Sequence, residues 1–270
     1  MPDARDITLR AATTGRRLPA FLARPDAEPG SDPDAPCPAV IVVHEIMGLN
    51  DDIRRIATVF ADKGYVALAP DLLGSGFRPL CIARFFQGIG KVGTGLPYRE
   101  MAAFHDWLAK QPYVDAERIG MAGFCAGGGF TMLYAARGGR DLRAIAPFYG
   151  ALPADESMIP DICPTVASYG GRDRAFGAVG PRLKRALDDA GIANDVKTYP
   201  DAGHSFMSRH GGLMGTVGPH LPMHAAFDAD ASTDAWARVL AFFDGHLVSA
   251  GTAGTADDPA GESAEPATSA

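Results

Sequence analysis

One stretch of the sequence can present a nucleophile: Gly123-Phe124-Cys125-Ala126-Gly127-Gly128. A reactive side chain flanked by glycines two residues away on each side marks a sharp strand-to-helix turn, which lifts the central residue above a sheet edge. Glycine is needed there because a tight turn leaves no room for a Cβ. The helix that follows would place its positive end beneath the sulfur, lowering the thiol pKa and favouring an oxyanion. A nucleophile needs a base, and the base needs an orienting acid. Asp173 stands in Gly170-Gly171-Arg172-Asp173, and His204 closes Tyr199-Pro200-Asp201-Ala202-Gly203-His204. A fourth cluster, His44-Glu45-Ile46-Met47-Gly48, follows the most apolar run of the chain. The backbone amides of Ile46 and Ala126 are the candidate donors for an oxyanion hole. A carboxylate at Glu45, facing a thiol, would raise the thiol pKa and keep it protonated. The plainer readings are a core cysteine, a loop-capping aspartate, a surface histidine and an exposed loop glutamate. His105 falls inside a predicted helix and reads as structural.

These residues need strand ends to hold them. Ala39-Val40-Ile41-Val42-Val43 is a β-branched run, as in a strand buried on both faces. Further strands are predicted at Asp6–Arg10, Leu18–Ala23, Tyr65–Ala69, Arg118–Ala122, Ala144–Phe148, Thr165–Tyr169 and Asp195–Tyr199. Asn50-Asp51-Asp52 can cap a helix that ends at Gly64. Other helices are predicted at Tyr98–Lys110, Gly128–Arg137, Pro181–Ala190 and Thr233–Leu247. Strands alternating with helices imply an α/β fold with a mostly parallel sheet covered on both faces. Cys125, Asp173 and His204 each fall just past the carboxyl end of a strand, where open α/β sheets build their sites. A turn is expected at Thr14-Gly15 and a loop over Pro25–Pro38. Leu73–Leu96 is glycine-rich with few helix signals, and Ser205–Ser232 is an unusually long insert. Both read as long loops, which tend to be functional or disordered.

The chain has 270 residues, 47% hydrophobic and 21% charged, as expected of a globular fold rather than a disordered or fibrous one. Residues 1–248 are expected to form a single domain, and the low-complexity stretch 249–270 a disordered tail. The net charge is −7, and −3 without Ser249–Ala270, which carries four acids and no base. No basic stripe suggests nucleic acid as a partner. No apolar run reaches the ~20 residues that a membrane span needs. No secretory signal is visible, and four cysteines without a CxxC argue against a disulfide framework or zinc site, so a cytoplasmic location is expected. No metal or organic cofactor is implied, and either a monomer or a homodimer is compatible with the sequence.

The order nucleophile, acid, histidine is that of the α/β-hydrolases. Within them the chain resembles the dienelactone hydrolase family, from about Ala39 to Leu247. The resemblance rests on H-E-I-M-G at 44–48, Gly64-Tyr65 through Pro70-Asp71-Leu72, G-F-C-A-G-G at 123–128, G-G-R-D at 170–173 and A-G-H-S-F at 202–206. It implies an α/β-hydrolase fold and a Cys125–His204–Asp173 triad acting on a small ester or lactone. It also implies a resting thiol paired with Glu45, which substrate binding displaces so that it takes the thiol proton. Family members bind a substrate carboxylate through two arginines. One follows the A-G-H-S-F motif, where Arg209 stands about one position off. The other lies between Asp71 and Tyr98, where this chain has Arg78 and Arg84. A non-catalytic ligand-binding or thiol redox-sensing protein on the same fold is the alternative. The intact acid and histidine favour the enzyme, because a sensor needs only an exposed low-pKa thiol.

Overall fold

Alternation along Ala39–Val43 decides the architecture. Ala39, Ile41 and Val43 enter one apolar cluster and Val40 and Val42 the other, all fully buried. A strand apolar on both faces must lie inside a sheet covered twice. The structure, a computed structural model, describes residues 2–10, 15–26, 32, 35–74, 77–137 and 141–248. The tail, Thr14 of the expected turn and much of the Pro25–Pro38 loop lie outside the described residues.

The strands are β1 (Asp3–Arg10), β2 (Arg17–Arg24), β3 (Cys37–Val43), β4 (Val66–Pro70), β5 (Val114–Phe124), β6 (Leu142–Phe148), β7 (Thr165–Gly170) and β8 (Asn194–Tyr199). They form one eight-stranded sheet in the order β1-β2-β4-β3-β5-β6-β7-β8. β1 pairs with β2, and β2 with β4, antiparallel; every other pairing is parallel. Helices α1 (Asp51–Asp62) and α7 (Ala229–Phe243) cover one face. On the other lie α2 (Arg78–Ile89), α3 (Leu96–Ala109), α4 (Ala126–Arg137) and α5 (Val179–Asp189). A π-helical turn, Asp244–Val248, extends α7. This is the mostly parallel α/β architecture expected from the sequence.

Local signals account for α1. Asn50 Oδ1 accepts from the Ile53 amide at 3.0 Å, and Asp51 and Asp52 lie in the first turn, where carboxylates suit the helix dipole. Gly64, at φ +89°, ends it. Ile53, Ile56 and Phe60 form its buried stripe, each such side chain contributing about 1.5–3 kcal/mol.

Two expectations need correction. Leu73–Leu96 is not a long loop, because α2 occupies its centre, opened by Pro79 in the first turn. Two of its glycines serve close packing: a Cβ on Gly88 would overlap Pro97, and one on Gly95 would overlap the Gly88 carbonyl. The end of α2 thereby lies against the start of α3. Ser205–Ser232 also carries structure, a short α6 (Gly212–Val217) and a 3-10 turn at Gly218–His220.

Candidate active site

β5 runs into α4 through Cys125, whose φ is +55°, a left-handed conformation unusual for a side-chain-bearing residue. Such a position costs on the order of 1–3 kcal/mol and persists only where the surroundings enforce it. Here the Cys125 amide donates to Phe148 O at 3.1 Å, and the Gly129 amide to Cys125 O at 3.2 Å. The flanking glycines are obligatory. A Cβ on Gly123 would overlap Thr131 and the Gly127 carbonyl, and one on Gly127 would press on the carbonyls of Val43 and His44. The second clash fixes the elbow against the end of β3, where the His44–Gly48 loop begins.

Asp173 follows β7 and is buried. Its Oδ1 accepts from the amides of Ala175 (2.9 Å) and Phe176 (3.2 Å), and its Oδ2 meets His204 Nδ1 at 2.6 Å. His204 follows β8 and lies between the rings of Tyr149, 5.0 Å away, and Phe176, 5.3 Å away. The Ser205–Ser232 insert holds its backbone: the His204 amide donates to Met223 O at 2.8 Å, and the Ala226 amide to His204 O at 3.2 Å. Nε2 is buried without an aligned hydrogen-bond partner and is the ring nitrogen left for proton transfer. Burial alone would lower the imidazole pKa. The hydrogen bond to Asp173, then the short-range interaction with Cys125, outweigh it and raise His204 to about 10.

Ile46 and Ala126 line the same cleft as Cys125. Among the described residues neither amide donates to a main-chain carbonyl outside the regular elements, and Ala126 opens α4, where amides are unpaired. His44 orients the first of them. Its Nε2 accepts from the Leu72 amide at 3.0 Å, so its proton is on Nδ1, which donates to Glu45 O at 2.7 Å. Burial holds the His44 pKa below its usual value and keeps the ring neutral. The Glu45 carbonyl and the Ile46 N–H share one planar peptide, so fixing the carbonyl fixes the amide.

Glu45 is buried but is not engaged as expected. Ser208 Oγ donates to its Oε1 at 2.8 Å and Tyr149 Oη to the same oxygen at 3.3 Å. His210 Nε2 lies 3.5 Å from Oε2. Among the described residues no hydrogen bond joins Glu45 to Cys125; the carboxylate is drawn to Ser208, Tyr149 and His210 instead. Tyr149 is fully buried at φ +40°, and burial, then the Glu45 charge, push its hydroxyl pKa well up, so it stays a donor. Tyr149 and Ser208 were not singled out as site residues from the sequence. Tyr149 had a signal, since it directly follows a parallel strand; Ser208 had only its nearness to His204.

The three arginines are not brought to the cleft that holds Cys125. Arg78 donates to Met47 O at 2.7 Å, bracing the loop beside the oxyanion amide. Arg84 is exposed on α2. Arg209 donates its amide to Asp52 at 3.1 Å, stacks over Phe227 and lines a separate acidic cleft with Asp51, Asp52 and His210. The insert turns the chain outward after Ser208, so the one-position offset puts Arg209 on that other surface. His105 is buried in α3 with its ring 3.3 Å from Tyr134 Oη, as a structural residue would be. Among the described residues no cluster of His, Cys, Asp and Glu could hold a metal ion, and no helix is long and apolar enough to cross a membrane.

Residues 18–247 match the model of the dienelactone hydrolase family. The chain belongs to that family. It is 29% identical over 251 residues to a candidate carboxymethylenebutenolidase of Yersinia pestis, covering 87% of this chain and 86% of the relative. A protein of the same description from Escherichia coli K12 is 30% identical over 243 residues, covering 85% and 83%. Among solved structures, a candidate dienelactone hydrolase from Klebsiella pneumoniae superposes with a TM-score of 0.70 at 26% identity, covering 89% and 98%. The dienelactone hydrolase-like promiscuous phosphotriesterase P91, from metagenomic libraries, superposes with a TM-score of 0.73 at 26% identity, covering 90% and 99%. Family and fold are those of a hydrolase with a small-molecule substrate.

Proposed function

We propose that the chain hydrolyses small esters or lactones through a covalent acyl-Cys125 intermediate. The observation that carries this reading is Cys125 on a left-handed elbow beside a buried His204 whose Nδ1 is held by Asp173 at 2.6 Å. The Cys125 thiolate adds to the carbonyl carbon, and the carbonyl oxygen takes the charge between the amides of Ile46 and Ala126. His204 donates the Nε2 proton to the leaving oxygen as the C–O bond breaks. Water then gives a proton to Nε2 while its oxygen attacks the thioester, and the acid leaves with Cys125 again a thiolate. Asp173 keeps the ring in the tautomer and orientation that both transfers need. Glu45, tied to Ser208 and Tyr149, is a fixed charge in this scheme and not the acceptor of the thiol proton.

The raised pKa of His204 keeps a proton on Nε2 at neutral pH, ready for the leaving oxygen. The test is a pre-steady-state assay with p-nitrophenyl acetate. A burst of one nitrophenolate per chain, absent in Cys125→Ala, is the expected result. Equal turnover by both proteins would overturn the reading.

A further inference from the structure

The cleft beside Cys125 has a volume of about 510 Å³, within the range of small-molecule sites. Its walls include Phe86, Ile89, Val92, Phe130, Leu133 and Leu152, from α2, α4 and the segments after α2 and β6. Among the described residues Asp155 is the one acidic or basic side chain on its lining. Asp155 accepts from the amide and hydroxyl of Ser157, which hold its pKa below the usual carboxylate value, so it is an anion at neutral pH. Lys91 falls between the lining residues Gly90 and Val92 but is exposed and is not part of the wall. The apolar character continues outside. Ile46 and Phe86 on the lining, with Met47 next to Ile46 and with Phe77 and Leu80 at the start of α2, are exposed. Arg78, between Phe77 and Leu80 in sequence, is turned to the Met47 carbonyl.

We propose that this cleft takes an uncharged, apolar acyl group, aliphatic or aromatic, and discriminates against acyl groups that end in a carboxylate. The inference rests on the hydrolase reading above and specifies its substrate class. A carboxylate carried into the cleft would shed water and meet no cationic or hydroxyl donor among the lining side chains, and Asp155, though solvent-exposed, adds a like charge rather than a partner. A methylene in the same place gains from burial, roughly fourfold in binding for each one added. The arginine forks that would recognise a carboxylate lie elsewhere on this molecule.

Two esters with one leaving group test it: p-nitrophenyl hexanoate and mono-p-nitrophenyl adipate, which differ by a terminal carboxylate. At neutral pH and ~0.15 M salt, kcat/KM should favour the hexanoate by at least about tenfold. Phe86→Arg, at a half-exposed wall position that tolerates a charge, should shrink that ratio several-fold. An adipate ester used as well as the hexanoate, or a ratio unmoved by Phe86→Arg, overturns the proposal. If neither ester is turned over, it is the hydrolase reading that fails. The cleft is then tested alone, by the Tm shift of Cys125→Ala with hexanophenone and with 6-oxo-6-phenylhexanoate. Stabilisation by the neutral ketone alone supports the cleft's selectivity, and equal or no stabilisation by the two overturns it.

Discussion

Around His204 the polar groups are paired. Asp173 spends both oxygens, Nδ1 is bound, and only Nε2 is left over. On the far side of Cys125 the cleft wall is almost entirely carbon, with one anion in it. The two regions share Cys125 and Phe176 and obey opposite rules. The first fixes proton positions through low-dielectric hydrogen bonds, where a misplaced partner leaves a buried charge. The second selects by fit and by what it refuses to solvate. A change in the first should therefore act on the rate of any substrate, and a change in the second on the choice between substrates.

The largest expected effect is that of Cys125→Ala. Removing a triad nucleophile costs ~10⁶ in turnover, and the loss should be equal for neutral and carboxylated esters. Asp173→Asn comes next, with a loss on the order of 10⁴ if it misplaces the His204 tautomer. It should also move a pH limb. With His204 held at about 10, the protonated ring persists into alkali, and kcat/KM should fall only as pH approaches that value. Losing the Asp173 charge removes a cause that raises the pKa, so the limb should shift to lower pH. Stability follows the same sign. Protonated His204 stabilises the fold fully below its unfolded pKa near 6.5, and this contribution is lost as pH rises towards 10. Melting curves of wild type and His204→Gln between pH 6 and 10.5 should therefore converge at the alkaline end.

Smaller effects separate positioning from chemistry. His44→Phe frees the Glu45–Ile46 peptide, and kcat should fall about ten- to a hundredfold with KM little changed, short of the ~10²–10³ lost with a whole oxyanion donor. A rise in KM at constant kcat would show that His44 shapes binding instead. Ser208→Ala should be the mildest. It removes the shortest hydrogen bond to Glu45, leaving the carboxylate charge less compensated near the site. Alkylation of Cys125 by iodoacetamide at pH 7 should slow a few-fold. Unchanged kinetics would mean that the Glu45 charge does not reach the sulfur.

The reacting centre was legible in the sequence because its geometry demands particular residue types at short range. Gly123 and Gly127 are required by carbonyls and a side chain that would occupy their Cβ positions, and Asp173 and His204 follow strand ends. The sheet was legible for a similar reason, since Val40–Val43 is apolar on both faces. α2 escapes a reading that takes the glycines of Leu73–Leu96 as loop signals, whereas Gly88 in α2 and Gly95 at the cap of α3 are there for the contact between the two helix ends. The partners of Glu45 were missed because Tyr149 and Ser208 reach it across 104 and 163 residues of chain. Arg209 is placed only by its distance from the A-G-H-S-F motif and Arg78 and Arg84 only by lying between Asp71 and Tyr98, and neither fixes where a side chain points.

The most direct test of the account is to catch the acyl group. Wild type and His204→Ala, mixed with p-nitrophenyl hexanoate and quenched in acid within milliseconds to seconds, can be read by intact-mass and peptide mass spectrometry. Deacylation needs the base, so the variant should hold any thioester it forms far longer than wild type. The account predicts a hexanoyl adduct on the peptide containing Cys125, and none on Cys37, Cys81 or Cys163. Hexanoate released by wild type with Cys125 unmodified at every time point, or an adduct on another residue that is competent in turnover, would contradict it.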